Sequence, residues 1–113
     1  MRVKPLPKRW LIHSIEYESY AGKDDWGKPT YSPSVAINHV RFDDTSVFSR
    51  DTTQTKVLAD AVIFVDAVNS SPVPDFKEES RITFNGRELT LKKIVPCYHP
   101  TENKVRHWEL EVI

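Results

Sequence analysis

Asn85-Gly86 stands between two runs of alternating apolar residues, Ile82-Thr83-Phe84 before it and residues 87–95 after it. A two-residue hairpin turn needs φ above zero at both central positions. Asn followed by Gly reaches that conformation at low cost. The dipeptide therefore predicts a tight antiparallel hairpin. Ile82 and Phe84 point to one face, and Leu89, Leu91 and Val95 continue it. Pro96 lacks an N–H to give to a ladder and is expected to end the second strand.

The same period of two recurs elsewhere. In residues 10–20, WLIHSIEYESY, the set Leu11, His13, Ile15 and Tyr17 opposes Ile12, Ser14, Glu16 and Glu18. That is a strand with one mostly apolar face. Residues 21–34 hold Gly22, Gly27, Pro29 and Pro33 and read as a loop or hairpin connection carrying Trp26 and Tyr31. Residues 35–42, VAINHVRF, form a second strand. Residues 57–68, VLADAVIFVDAV, are read as a strand because VIFV is dense in β-formers. Residues 75–80 permit one helical turn or a polar loop. Residues 105–113 place Trp108, Leu110 and Val112 on a core face, against Arg106, His107, Glu109 and Glu111 on a wet one. About six strands with short turns predict a mainly β fold, a small antiparallel β-barrel or sandwich with one long loop.

A length of 113 residues fits one domain with an unstapled core. Residues 1–9 carry Pro5 and Pro7 and are expected to be an extended basic arm, leaving 10–113 as the barrel. The arm with Trp10 holds Arg2, Lys4, Lys8 and Arg9 and no acid, while residues 11–75 hold ten acids and five bases. A basic arm beside an acidic body suits contact between neighbours in an oligomer. A solvated terminus accounts for the same residues. Lys8, Arg9 and Trp10 are the candidate assembly residues. The 16 basic and 16 acidic residues balance. That balance counts against gripping nucleic acid by bulk charge. A small nucleic-acid-binding barrel remains the alternative, and it would use Lys8, Arg9, Trp10, Lys92 and Lys93.

Signals for chemistry are sparse. One cysteine, Cys97, excludes an internal disulfide and a multi-cysteine zinc site and fits a reducing compartment. The opening twelve residues have no apolar run of the kind a signal peptide needs, and no stretch has the length of a membrane span, so no membrane partner is expected. The three glycines form no phosphate-binding or dinucleotide-binding pattern, and no nucleophile elbow is present. Cys97 and His99 share a strand face, but two ligands make a poor metal site. A lone cysteine after Ile94-Val95-Pro96 reads as packing, not as a nucleophile. Asp43-Asp44 reads as a solvated loop pair or a weak cation site. No catalytic residue, metal or cofactor is expected.

Residues 43–56, DDTSVFSRDTTQTK, break the texture. They are polar, show neither helical nor strand period, and carry one apolar pair, Val47-Phe48, and one arginine, Arg50. A loop of about 14 residues is uncommon in a small domain and is usually functional or disordered.

Three stretches resemble a known family: KPLPKRWLIHSIEYE at the start, SVFSRD followed by KVLADAVIFVDAVNSSP, and ITFNGRELTLKKIVPCYHP with the terminal HWELEVI. They are similar to the minor capsid, or head-closure (stopper), proteins of tailed phages and prophages of Gram-positive bacteria. The resemblance implies a β-barrel that assembles in the host cytoplasm into a homo-oligomeric ring of the virion's head-tail connector. Such a ring lies below the portal and adaptor proteins, seals packaged DNA and offers a surface to a tail-completion protein. It also implies that residues 43–56 are the channel loop. Val47, Phe48, Ser49, Arg50 and Asp51 are then the candidate DNA-gating residues, with Val47 and Phe48 as contacts between loops and Arg50 available to acids or phosphate.

Overall fold

The computed structural model describes residues 6–48 and 57–113. A 3-10 turn over Lys8–Trp10 comes first, followed by β1 (His13–Glu18), β2 (Tyr20–Lys23), β3 (Pro29–Tyr31), β4 (Val35–Asp43), β5 (Val47–Phe48), β6 (Val57–Ala59), β7 (Ala61–Asp66), β8 (Arg81–Phe84), β9 (Arg87–Tyr98) and β10 (Val105–Val112). Six strands close into an antiparallel barrel in the order β1-β4-β7-β10-β9-β8, with β8 returning to β1. Closure removes the free sheet edges that would invite pairing with other chains. Two ribbons, β2-β3 and β5-β6, lie outside the barrel.

Alternation puts one face of each barrel strand inside. Ile15 and Tyr17 from β1, Ile37, Val40 and Phe42 from β4, Ile63 and Val65 from β7, and Leu110 and Val112 from β10 are buried together with Ile82, Leu89 and Leu91. Each such aliphatic side chain contributes about 1.5–3 kcal/mol on burial. The step from Ile37 to Val40 skips two residues. His13 pairs with Val40 and Ser14 with Asn38, so His39 is the extra residue of a β-bulge, with φ +59°. The bulge keeps both Ile37 and Val40 inside the barrel.

Asn85 and Gly86 have φ +49° and +80°, and Phe84 pairs with Arg87 across the turn, as the dipeptide predicts. Four expectations change. β9 runs through Pro96 to Tyr98, with Pro96 opposite Trp108. Its ladder with β8 ends at Thr90, and a strand with a single partner uses only alternate N–H groups, so one proline is tolerated. Residues 57–68 divide at Asp60, whose N–H goes to the Val112 carbonyl. The first strand ends at Glu18, because the Tyr20 N–H turns aside to the buried Ser80 Oγ at 2.9 Å. Trp108 is half-buried against the core, its ring centroid 6.1 Å from that of Phe76, while Leu110 and Val112 are fully inside.

Candidate functional site

The base of the long loop is built at one end of the barrel. Phe42, at the end of β4, stacks on Phe84, at the end of β8, with ring centroids 4.2 Å apart and planes 10° from parallel. His13 meets Phe84 edge-on at 5.0 Å. Its Nδ1 accepts the Phe42 N–H at 3.0 Å, which leaves the imidazole proton on Nε2. Asp43 is a strand residue paired with Val62, and its carboxylate accepts the Thr45 hydroxyl at 2.7 Å. Asp44 lies 3.6 Å from Arg87 beside the Asn85-Gly86 turn. Both acids thus have protein partners, a hydroxyl for Asp43 and an exposed guanidinium for Asp44.

The described ends of the long loop are more regular than its composition suggests. Val47 pairs with Ala59 and Phe48 with Val57, so the chain leaves and re-enters the barrel as a two-stranded ribbon. Ser49, Arg50 and Asp51, expected in the channel loop, lie outside the described residues, as does the rest of 49–56.

The candidate assembly residues Lys8, Arg9 and Trp10 form the 3-10 turn and are exposed, Trp10 to 51%. The segment before the turn is tied to the barrel. The Leu6 N–H donates to Asp66 Oδ1 at 2.9 Å, and Asn69 Nδ2 donates to the Leu6 carbonyl at 2.8 Å. Asp66 is fully buried, and its Oδ2 accepts the N–H groups of Val68 and Asn69 at 2.9 and 2.8 Å. One carboxylate thus closes the turn after β7 and clamps the incoming chain. Lys92, counted in the nucleic-acid alternative, is held by Glu79 at 3.1 Å.

Cys97 does not pair with His99, whose Nδ1 lies 3.3 Å from the Thr101 hydroxyl. Its partners come from β10. Cys97 lies opposite His107 in the ladder, and Glu109 is two residues further along the same face. The Cys97 thiol donates to Glu109 Oε2 at 2.9 Å, and His107 Nε2 lies 3.5 Å from the same oxygen. Burial, then the hydrogen bond and negative charge of Glu109, push the Cys97 thiol up to about 11, against a smaller opposing effect of Arg106. Such a thiol is protonated at neutral pH and is a weak nucleophile.

Among the described residues, no helix is long and apolar enough to cross a membrane. The family model for minor capsid proteins matches residues 7–112, nearly the whole chain. The chain belongs to the minor capsid protein family. Comparison with curated proteins and with solved structures returns no match. Membership gives this minor capsid protein a structural role in the phage particle.

Proposed function

We propose that this minor capsid protein is the head-closure, or stopper, component of the head-tail connector. Copies assemble into a ring below the portal and adaptor proteins, seal the packaged DNA and receive the tail-completion protein. The observation that carries this reading is the β5-β6 ribbon. Beside the closed barrel stands a paired ribbon that leads off from an end stiffened by Phe42, Phe84 and His13, and residues 49–56 join its two strands in sequence. A rigid body that carries a long loop on a paired base suits a ring that must block a channel and later open it. Val47, Phe48, Ser49, Arg50 and Asp51 are the proposed gating segment, and Lys8, Arg9 and Trp10 are proposed to meet the neighbouring copy.

Replacing residues 49–56 by a two-residue Asn-Gly turn tests the reading. The ribbon can close on itself, so circular dichroism and the melting temperature of the isolated protein are expected to stay near wild type. Phage carrying the replacement should yield heads that lose DNA or fail to join tails. Intact, infectious particles in normal yield would remove the segment from the mechanism.

A further inference from the structure

The geometry points to a divalent-metal site on the outer wall of the barrel, in which Cys97 Sγ, His107 Nε2 and Glu109 Oε2 hold a zinc-like ion with the fourth position open. The inference rests on the barrel alone and not on the stopper reading. The three ligand atoms come from two adjacent strands and lie within 4.8 Å of one another. Cys97 and His107 are cross-strand partners, and Glu109 shares their face, so the ladder itself holds the set in place. Two of the three separations are 2.9 Å and 3.5 Å. Metal–ligand bonds of about 2.0–2.3 Å in a tetrahedron require separations of about 3.3–3.8 Å. The three atoms therefore need to move apart or together by about 1 Å or less to fit, since none is more than 4.8 Å from another.

The donor set selects the ion. Sulfur, imidazole nitrogen and carboxylate oxygen suit zinc or cobalt, whereas magnesium and calcium want oxygen throughout. The ion takes the place now held by the thiol proton. Binding forms the sulfur–metal bond, breaks the S–H bond and releases that proton to solvent, while His107 gives a neutral lone pair and Glu109 its existing charge. Two anionic ligands then balance a dication. When Nε2 binds the ion the ring proton sits on Nδ1, which is buried with no hydrogen-bond partner among the described residues, and that unmet donor is a cost the metal–ligand bonds must exceed. His107 is more enclosed than Glu109, with side-chain exposures of 13% and 35%. The open side leaves room for water or for a ligand from a neighbouring molecule. An ion here would staple the far end of the β9-β10 ribbon, where the β8 ladder no longer supports β9.

The test is titration of the purified full chain, reduced and stripped of metal, with cobalt(II). One equivalent should produce a sulfur-to-cobalt charge-transfer band and the intense visible bands of a tetrahedral ion, with one proton released per cobalt. Zinc should displace the cobalt and magnesium should not. Cys97→Ser should abolish the charge-transfer band, and Glu109→Gln should weaken binding by at least about tenfold. Both variants keep the shape of the side chain, and circular dichroism checks that they fold. A readout that needs no variant is the reaction of Cys97 with a disulfide reagent, which zinc should slow. Absence of the band, its survival in Cys97→Ser, or a thiol that reacts equally fast with and without zinc overturns the proposal.

Discussion

Glu18 and Arg81 face each other across the β1-β8 seam that closes the barrel, joined by two hydrogen bonds of 3.1 and 2.6 Å. The guanidinium also lies over the Tyr31 ring, 4.5 Å from its centroid, so the pair ties the β2-β3 ribbon to the seam. The hydrogen bond from Arg81, with its positive charge, holds the Glu18 carboxyl below the usual glutamate value of 4.5, against the opposing effect of burial. A lowered carboxyl contributes stability that is present above its unfolded value and disappears as pH falls through the folded one. Wild type should therefore melt above Glu18→Gln at neutral pH, and the two should converge as pH drops below the ordinary carboxylate range. A difference that stays constant into acid would assign the effect to packing. The pair is partly exposed, so the difference should also shrink with added salt.

Gly86 isolates the backbone cost of the hairpin. Its φ is +80°, and a Cβ added there meets nothing within 4 Å. Gly86→Ala should therefore destabilise through conformation alone, by about 1 kcal/mol or somewhat more in urea denaturation. Asn85→Gly at the neighbouring position should change stability by less, because glycine also accepts positive φ.

Much of the barrel was legible because alternation is a local signal. The faces of β1 and β8, the inward Leu110 and Val112 of β10 and the Asn85-Gly86 turn follow from residue order alone, whereas the half-buried Trp108 and the enclosed His107 do not. The ends of strands did not, because they depend on partners distant in sequence. Ser80 draws the chain away after Glu18, and the loss of β8 as a neighbour lets β9 pass through Pro96. The grouping of Cys97 with His107 and Glu109 was hidden for a related reason. The ladder shifts register between Val105 and His107, and no periodicity reports such a shift. Asp66 was also missed: within FVDAVN it reads as a strand-end acid, while its worth lies in N–H groups that include one 60 residues away.

Asp66→Ala should test the clamp on the incoming chain. The substitution strands the partly buried N–H groups of Leu6, Val68 and Asn69. A fully buried donor left without an acceptor costs about 1–3 kcal/mol, so the loss for each of these three should fall below that figure. Beyond the loss of stability, trypsin should cut after Lys8 and Arg9 faster than in wild type at a temperature where both proteins remain folded. Equal cleavage rates would mean that Asp66 serves the turn and not the arm.

Cys97 should alkylate slowly. A thiol at about 11 in place of 9.0 holds about a hundredfold less thiolate at neutral pH. The rate with iodoacetamide should keep rising with pH well past the point where an ordinary cysteine levels off. Glu109→Gln removes the negative charge and should speed the reaction at neutral pH. A rate unaffected by that substitution would leave burial as the sole cause.

The base of the long loop separates stability from assembly. Phe84→Ala removes the ring stacked on Phe42 and met edge-on by His13. Phe84 is half-buried, so the cost should be about 2–3 kcal/mol, below that of a fully enclosed aromatic. Any loss of particle yield in that variant mixes folding with function. Arg87→Gln does not have this difficulty. Its ion pair with Asp44 is 3.6 Å long and exposed, and such pairs contribute little to stability. Urea denaturation should hardly distinguish Arg87→Gln from wild type. The pair nevertheless joins the turn of β8-β9 to the chain that leads into the β5-β6 ribbon. If the ribbon must project at a fixed angle to close the channel, phage bearing Arg87→Gln should show partial DNA loss with a fully folded protein, and Asp44→Asn should match it. Normal particles from both variants would show that the aromatic stack and the β-ladders orient the ribbon without the ion pair.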